Sequence, residues 1–252
     1  MTSPRDRFLT VYGRRPVLEA LADERMQVDK VLVADSARGP EIDGIVRAAK
    51  ARAVELRRVP QHDVTRLSRN GRQDQGVAAD VVAPAMRSLD EWTPPSRDGV
   101  DGDGAVVVVV LDGITNPQNV GMILRTATAA GVDGIVVPTA GVADLGPLVV
   151  KASAGVAFQA PILRSRHASD AVAVLRSLGF RIYGLAADGD RTLFDPAGFA
   201  SHSALVLGGE HAGLTVEVDE HVSIPMAGDV ESLNVAVAAG VVCFELLRRR
   251  VS

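Results

Sequence analysis

Cysteines, aromatic residues and long apolar runs are all scarce in this sequence of 252 residues. The single cysteine, Cys243, excludes an internal disulfide, and its apolar neighbours indicate a small core residue rather than a reactive thiol. Aromatic residues make up only 4% of the chain, which argues against broad platforms for stacking nucleic-acid bases. No window approaches the roughly 18 uninterrupted apolar residues of a membrane span, and the N-terminus lacks the apolar stretch of a signal peptide. We therefore expect a cytoplasmic protein.

The signatures of several common chemistries are missing as well. The five histidines show no metal-ligand spacing, so we expect no metal site. Lys151–Gly155, KASAG, lacks the first glycine of the GxSxG elbow of serine hydrolases. No GxxxxGK[ST] phosphate loop occurs, and no GxGxxG follows a strand. These absences argue against a hydrolase, a P-loop NTPase and a nicotinamide dehydrogenase.

The chain is apolar enough to fold around a sizeable core, and its charge is distributed unevenly. A hydrophobic content of 47% over this length is typical of one large domain or two modest ones. Residues 1–100 carry 17 Lys and Arg against 15 Asp and Glu, a formal charge of +2, whereas residues 101–252 carry 10 against 16, or −6. A polyanion would therefore be met mainly by the N-terminal part, although +2 alone does not establish nucleic-acid binding.

A small α/β domain is predicted before residue 84. Its periodicities indicate helices over 14–24 and 40–51, and strands over 28–35, 53–59 and 75–83. The following stretch, residues 84–104, is rich in Pro, Gly and Asp and has few periodic apolar positions. We interpret that stretch as a linker that contributes no core element.

Beyond the linker, Val-rich strands alternate with helices as far as a closing helix expected from about Ser232. Such continuous apolar strands favour a mostly parallel sheet that is covered on both faces. In sheets of this kind, ligands bind beyond the carboxyl ends of the strands. The loops after LDG (111–113), GGE (208–210) and IPM (224–226) are therefore where chemistry is expected.

The first of these loops leads into the stretch LDGITNPQNVGMILRTATAAG, residues 111–131. Asn116 is predicted to cap a helix with Pro117 in its first position, and Gly131 to end it. Gly121 and Arg125 then share a face, because they are four residues apart. A glycine on this face allows another backbone or a ligand to come close to Arg125. The alternative is that Arg125 is an ordinary surface residue. The predicted buried stripe consists of Val120, Ile123, Leu124, Ala127 and Ala130.

The second stretch, LVLGGEHAGL, residues 205–214, is a strand that runs into two glycines and a carboxylate. The amides of Gly208 and Gly209 are expected to approach a small ligand closely, and Glu210 to accept hydrogen bonds. The alternative is a simple turn.

The third stretch, IPMAGDVESLNVAVAAG, residues 224–240, places three polar side chains where an apolar helix begins. We expect Ser232 to be the N-cap, with Glu231 and Asn234 in the same turn. Capping accounts fully for Ser232 but only partly for Asn234.

The order and spacing of the three stretches resemble the SpoU branch of the SPOUT superfamily, whose members are S-adenosylmethionine-dependent RNA 2′-O-ribose methyltransferases. This resemblance covers about residues 105–250. YGRRPVLEAL, residues 12–21, and the order of elements after it are similar to the L30e-like RNA-binding domain of 23S rRNA guanosine methyltransferases. The resemblance implies an L30e-like domain over 1–83, a linker over 84–104 and a SpoU domain over 105–252. It also implies a trefoil knot and a homodimer.

The resemblance further assigns site residues and a cofactor, S-adenosyl-L-methionine. The positions that match catalytic residues are Asn119, Arg125, Glu210, Ser232 and Asn234. Those expected to hold the cofactor are Gly208, Gly209, Ile224, Met226 and Leu233. Candidate phosphate contacts in the RNA-binding domain are Arg14, Arg15, Arg57, Arg58, Arg66, Arg69 and Arg72.

The activity that the resemblance implies is 2′-O-methylation of RNA, with guanosine in 23S rRNA as the leading target. A tRNA 2′-O-ribose methyltransferase is one alternative, and a non-catalytic RNA-binding module is another. The family mechanism makes the arginine at position 125 a base. Because a guanidinium seldom loses its proton in a protein, we expect Arg125 instead to hold a phosphate and stabilise a developing alkoxide.

Overall fold

The structure is a computed structural model that describes residues 7–96, 105–209, 212–228 and 231–251. Its N-terminal part is a four-stranded sheet with the order β1-β4-β2-β3, in which only β2 and β3 run parallel. The strands are β1 (Phe8–Tyr12), β2 (Val28–Ala34), β3 (Glu55–Val59) and β4 (Val77–Val82). The helices are α1 (Arg14–Ala22), α2 (Pro40–Ala51) and α3 (Gln61–Ser68). The five predicted elements are confirmed, while β1 and α3 are additions to the prediction.

The C-terminal part is built on an eight-stranded sheet with the order β10-β12-β9-β11-β6-β7-β8-β5, and every described pair in it is parallel. The prediction of a mostly parallel sheet is confirmed. The strands are β5 (Arg87–Ser88), β6 (Val106–Asp112), β7 (Gly134–Pro138), β8 (Ile162–Ser165), β9 (Arg181–Leu185), β10 (Arg191–Thr192), β11 (His202–Gly208) and β12 (Glu220–Ser223). The helices are α4 (Pro117–Ala129), α5 (Pro147–Ala152), α6 (Ala168–Ser177) and α7 (Val235–Val251).

Strand β6 shows how this sheet is buried on both faces. Val107, Val109 and Leu111 belong to a core that also contains apolar residues of α4, α5 and α7. The alternate residues of β6, Val106, Val108 and Val110, belong to a second core with α6. The first core continues into the N-terminal sheet, so the two parts of the chain pack against each other.

The expectation that residues 84–104 contribute nothing to a core is wrong for the described part of that stretch. Met86, Leu89 and Trp92 are buried, and β5 adds an edge strand to the large sheet by pairing with β8. These apolar residues are spaced by three among prolines and charged residues, which hides them from a search for periodic runs. Residues 97–104 lie outside the described residues.

Helix α4 begins and ends where the sequence predicts. The side chain of Asn116 accepts a hydrogen bond from the backbone N–H of Gln118 at 2.9 Å, and Pro117 occupies the first position. After the helix, Gly131 adopts a φ of 66°, the left-handed conformation that suits glycine at a helix end. The predicted buried stripe is confirmed in full.

Helix α7 contains the only cysteine of the chain. Cys243 is 1% exposed, and burial raises the pKa of its thiol to about 12. The prediction of a small core residue is therefore confirmed. No helix in the described ranges is long and apolar enough to cross a membrane.

Candidate active site

A cavity of about 530 Å³ opens at the carboxyl ends of β9, β11 and β12, where the first turn of α7 closes it. This is the edge of the sheet at which the sequence predicted chemistry. All five residues expected to hold a cofactor line the cavity: Gly208, Gly209, Ile224, Met226 and Leu233. Ser232 lines it too. The volume lies within the range typical of small-molecule sites.

The glycines at the end of β11 are required by close packing of the backbone. A Cβ added at Gly208 would lie 2.5 Å from the carbonyl carbon of Gly213. A Cβ at Gly209 would collide with the carbonyl oxygen of Gly113, which follows β6. Since β6 and β11 are neighbours, with Asp112 opposite Gly208, the two loops leave the sheet in contact with each other. No larger residue fits at either position without moving the cavity wall.

A buried carboxylate fixes the loop that follows β11. Asp112 is 3% exposed, and its side chain accepts hydrogen bonds from the backbone N–H of Thr215 at 2.5 Å and from the Thr215 hydroxyl at 2.7 Å. Within the loop, the N–H of Gly213 donates to the carbonyl of Gly209 at 2.9 Å. The last residue of β6 thus ties down the segment that carries Gly213 and Leu214 into the cavity wall.

Two of the predicted catalytic residues meet although they are 115 positions apart in the chain. The side-chain amide of Asn234 donates to the side-chain oxygen of Asn119 at 3.2 Å. Asn119 lies in the first turn of α4 and is only 3% exposed, whereas Asn234 lies just before α7 and is exposed. This contact joins the first and third sequence motifs beside the cavity.

The expectation that Ser232 caps the last helix is wrong. Helix α7 begins at Val235, and Asn234 is its cap: the Asn234 side-chain oxygen accepts from the N–H of Ala236 at 2.9 Å and from that of Val237 at 3.4 Å. An asparagine directly before the helix outcompetes a serine two residues earlier because only the residue at the boundary reaches these N–H groups. Ser232 is left exposed on the cavity wall.

The remaining predicted catalytic residues are placed differently. Arg125 is exposed on α4, does not line the cavity, and makes no ion pair or hydrogen bond within the described part of the chain. Gly121, one turn earlier, is buried against α5, where an added Cβ would lie 2.6 Å from the carbonyl oxygen of Val149. Another backbone therefore does approach this face, but it covers Gly121 and not Arg125. Glu210 lies outside the described residues.

The cavity also has a wall that the sequence analysis missed, the loop after β9. Asp188 adds a carboxylate there, and His221 on β12 adds an imidazole. Asp188 could have been found by treating the loop after every parallel strand as a candidate, since the Asp-Gly pair at 188–189 follows the apolar run that ends at Ala187. His221 lies inside β12, so no strand-end rule would have found it. Across the described ranges, no three His, Cys, Asp or Glu residues are grouped so as to hold a metal ion.

Most of the seven arginines proposed to contact RNA are paired with groups of the protein itself. Five form ion pairs with carboxylates: Arg14 with Glu41, Arg15 with Glu19, Arg57 with Glu55, Arg66 with Asp63 and Arg69 with Asp144. Arg58 donates to the backbone carbonyls of Ala34 and Ala37. Arg72 is exposed and has no such partner among the described residues.

Comparison with known proteins agrees with this geometry. The SpoU rRNA methylase family model matches residues 106–244, and a model for RNA 2′-O ribose methyltransferase substrate binding matches residues 10–86. A 23S rRNA (guanosine-2′-O-)-methyltransferase, RlmB, of Xanthomonas campestris is 33% identical over 96% of both chains.

Two solved structures share the fold over almost the whole chain. The SpoU methyltransferase AviRb from Streptomyces viridochromogenes, in complex with AdoMet, has a TM-score of 0.64 and 27% identity, covering 98% of this chain and 92% of its own. An AdoMet-bound rRNA methyltransferase from Sinorhizobium meliloti has a TM-score of 0.62 and 25% identity, with coverage of 97% and 88%. The chain belongs to the SpoU rRNA methylase family.

Proposed function

We propose that this protein transfers a methyl group from S-adenosylmethionine to the ribose 2′-oxygen of RNA, and that its target is a guanosine in 23S rRNA. The observation that carries the proposal is the contact between Asn119 and Asn234 beside the strand-end cavity. The family match supports the reaction, and the RlmB relative that aligns over 96% of both chains supports the target. A ribosomal RNA substrate would place the protein in the cytoplasm.

The cavity suits the cofactor in size and in chemistry. It is about 530 Å³ and combines apolar walls, such as Leu185, Ile224 and Leu233, with backbone brought close by Gly208 and Gly209. Backbone amides and carbonyls next to apolar walls are what a nucleoside with an amino-acid tail requires. S-adenosylmethionine, when bound, supplies an electrophilic methyl group on a sulfonium. The chain itself must then orient the ribose and stabilise charge on its 2′-oxygen.

Different residues around the cavity would orient the ribose and stabilise the charge on its 2′-oxygen. The Asn234 amide is held by Asn119 and by the first turn of α7, so it presents polar atoms from a fixed position. Ser232, two residues before Asn234, is exposed and lines the cavity, where its hydroxyl would contact a ribose hydroxyl. Arg125 would hold a phosphate next to the target and neutralise negative charge at the 2′-oxygen, and Glu210 would fix the ribose.

We further propose that the protein is a homodimer formed through the exposed side of α4 and α7. Met122, Val237 and Phe244 are large apolar residues there, with exposures of 40%, 54% and 49%. Exposed apolar groups on adjoining helices are typical of an interface. Arg125 lies three residues after Met122, on the same side of α4, so association through this face would also enclose Arg125. Sedimentation as a monomer at micromolar concentration would contradict the dimer.

A trefoil knot in the C-terminal part also remains a proposal. Its support is the match to the SpoU methylase family over residues 106–244, from which the knot was expected. Arg249 attaches α7 to the loop after β10 by donating to the carbonyl oxygens of Leu193 at 3.2 Å and Asp195 at 2.8 Å. These bonds hold the last helix against an earlier loop of the chain.

The function is tested by incubating the protein with radiolabelled S-adenosylmethionine and separate pools of rRNA and tRNA. Alkaline hydrolysis then maps the product, since a 2′-O-methyl group blocks cleavage at that linkage. We expect transfer to 23S rRNA. Transfer to tRNA alone would support the tRNA enzyme, and cofactor binding without any transfer would support a non-catalytic binding module.

The role of Arg125 is tested in the same assay. Arg125→Ala should lower the transfer rate at least about 100-fold, the usual loss when a group that stabilises charge is removed. Cofactor affinity should stay within twofold, because Arg125 does not line the cavity. Arg47→Ala, which removes another exposed arginine from a helix, is the matched control and should leave both quantities unchanged. An equal loss of affinity and rate in Arg125→Ala would show that its role is misassigned.

A further inference from the structure

A second and larger cavity, of about 780 Å³, lies between the two parts of the chain. The N-terminal domain contributes β1, Lys30 on β2, Asp80 on β4 and the end of α3 to its walls. The C-terminal domain contributes the segment before α4, the segment that leads into α5, and Arg164 on β8. We refer to this cavity as the interdomain cleft. Local sequence patterns do not predict this cleft, because its walls come from segments far apart in the chain.

The charged groups of the interdomain cleft favour an anion. Four cations line it, Lys30, Arg66, Arg69 and Arg164, against the carboxylates Asp80 and Asp144. Lys30 is bound to the buried Asp80 at 2.8 Å, so its charge is already neutralised inside the cleft.

Two of these arginines can turn to a ligand at little cost. The Arg66 and Arg69 side chains are 78% and 51% exposed. Arg69 lies 3.7 Å from Asp144, which is too long for a charge-assisted hydrogen bond. Arg66 lies 2.8 Å from Asp63, but an ion pair whose arginine is so exposed to solvent contributes little to stability. Both guanidinium groups can therefore exchange their present partner for a phosphate.

The interdomain cleft leads towards the proposed active site. Thr115 and Pro117 line the cleft at the start of α4. Asn119, two residues further along the same turn, accepts the hydrogen bond from Asn234 beside the cofactor cavity. Two residues of helix advance by only about 3 Å, so the first turn of α4 separates the cleft from the catalytic groups. A strand that places one nucleotide at Asn234 has neighbouring nucleotides within reach of the cleft.

The other groups in the interdomain cleft suit a single strand of RNA. The ring of Tyr12 lines it, and the Tyr12 hydroxyl accepts a hydrogen bond from the Asn70 amide at 3.1 Å, which holds the ring in place. Thr115 and Thr139 add hydroxyl groups. A fixed aromatic ring for stacking, with hydroxyls and amides for the 2′-hydroxyl and base edges, is how unpaired RNA is recognised.

We propose that the interdomain cleft binds the single-stranded RNA that flanks the target nucleotide, and that Arg66 and Arg69 contact its phosphates. This inference rests on the proposed function for the identity of the polyanion. Of the seven candidate arginines, only Arg66 and Arg69 line the cleft. Arg15 and Arg57, which pair with Glu19 and Glu55 outside the cleft, have no role in binding RNA.

The test compares two double variants of the full chain that lose the same charge. Arg66→Gln/Arg69→Gln removes the arginines of the cleft, and Arg15→Gln/Arg57→Gln removes two that are also paired with carboxylates but lie outside it. Binding of fluorescein-labelled, single-stranded fragments of 23S rRNA is followed by anisotropy between 50 and 200 mM salt. The cleft variant should bind at least about tenfold more weakly, and its salt slope should fall by about 1.4, since each phosphate contact on a single strand contributes about 0.7. The control variant should stay within twofold of the wild type.

Equal weakening in both double variants, or none in the cleft variant, would overturn the inference. Because the measurement is binding, it gives a result even if the wild type fails to transfer methyl groups, so it is separate from the test of the reaction. Cofactor affinity, measured by calorimetry, should be unchanged in both variants. A parallel loss of cofactor affinity in the cleft variant would also overturn the inference, since it would indicate damage to the fold.

A second variant blocks the interdomain cleft without changing its arginines. Leu148 lines the cleft and is 54% exposed, so Leu148→Cys offers an accessible thiol there. The native Cys243 is buried and its raised pKa keeps it protonated, so a maleimide reacts only at the new site. Coupling a bulky maleimide should abolish RNA binding, whereas the same label on Arg47→Cys, which lies outside the cleft on α2, should not. Undiminished binding by labelled Leu148→Cys would contradict the proposal.

Discussion

Asn234 has two separate tasks in the structure, and a pair of substitutions separates them. Its side-chain oxygen caps α7 by accepting from the N–H groups of Ala236 and Val237, and its side-chain amide donates to Asn119. Asn234→Ala removes both tasks. Asn234→Asp keeps the accepting oxygen and removes only the amide donor.

The expected stabilities of the two variants differ because of the cap. Replacing an N-cap by alanine costs about 1 kcal/mol. For a domain of this size that lowers the melting temperature by roughly 2–4 °C. An aspartate caps as well as an asparagine and adds a favourable interaction with the helix dipole. Asn234→Asp should therefore melt within about 1 °C of the wild type, although it loses one hydrogen bond of 3.2 Å.

The expected activities, in contrast, are alike. Both variants should lose at least about 100-fold in the rate of methyl transfer, because neither can present the amide that Asn119 holds in place. Rates come from the labelled-donor assay, and melting temperatures from differential scanning fluorimetry on the same samples. If Asn234→Asp keeps the rate within threefold while Asn234→Ala loses both rate and stability, Asn234 is only a helix cap and the reasoning is refuted.

Two further predictions concern the loop after β11 and the last helix. Thr215→Val removes the 2.7 Å hydrogen bond to the buried Asp112 and should weaken cofactor binding about tenfold in calorimetry. Thr215→Ser keeps the hydroxyl, so its cofactor affinity should stay within threefold of the wild type. Equal losses of affinity in the two variants would show that the hydroxyl does not hold the loop. The pKa of the Cys243 thiol is 9.0 in the unfolded chain and about 12 in the folded protein. The contribution of Cys243 to the free energy of unfolding should therefore be constant below about pH 8 and fall as the pH rises from 9 towards 12. Between pH 8 and 10.5 the urea midpoint of Cys243→Ala should fall less than that of the wild type, and equal falls would contradict this.

The strands and most helices follow from local patterns because the residues that determine them are close in sequence. The five valines at 106–110 are buried whichever way they point, so no alternative to a central strand exists for them. Helix α3 was missed because Val64 and Leu67 are its only apolar residues, and the rest of QHDVTRLS is polar. In that helix, packing on the sheet outweighs the local pattern.

The start of α7 shows a different limit. Both Ser232 and Asn234 are good capping residues, and capping preference alone does not choose between them. The choice depends on the contact with Asn119, which lies 115 positions earlier in the chain. The same limit applies to the seven candidate arginines. A sequence does not show that Arg14, Arg15 and Arg57 are paired with carboxylates, or that only Arg66 and Arg69 of the seven reach the interdomain cleft.

The two glycines of the second motif were detectable from the sequence, but the structural reason for them was not. A strand that ends in Gly208 and Gly209 indicates that something approaches the backbone closely, and a ligand was the expected reason. The structure places other backbone there, since Gly113 and Gly213 occupy the space that a Cβ would need. Both glycines nevertheless line the cavity. Tight packing on one side of this loop, together with the bonds from Asp112 to Thr215, fixes the wall that a cofactor would contact on the other side. The same glycines thus serve the fold directly, and they serve binding through the rigidity that the fold gives them.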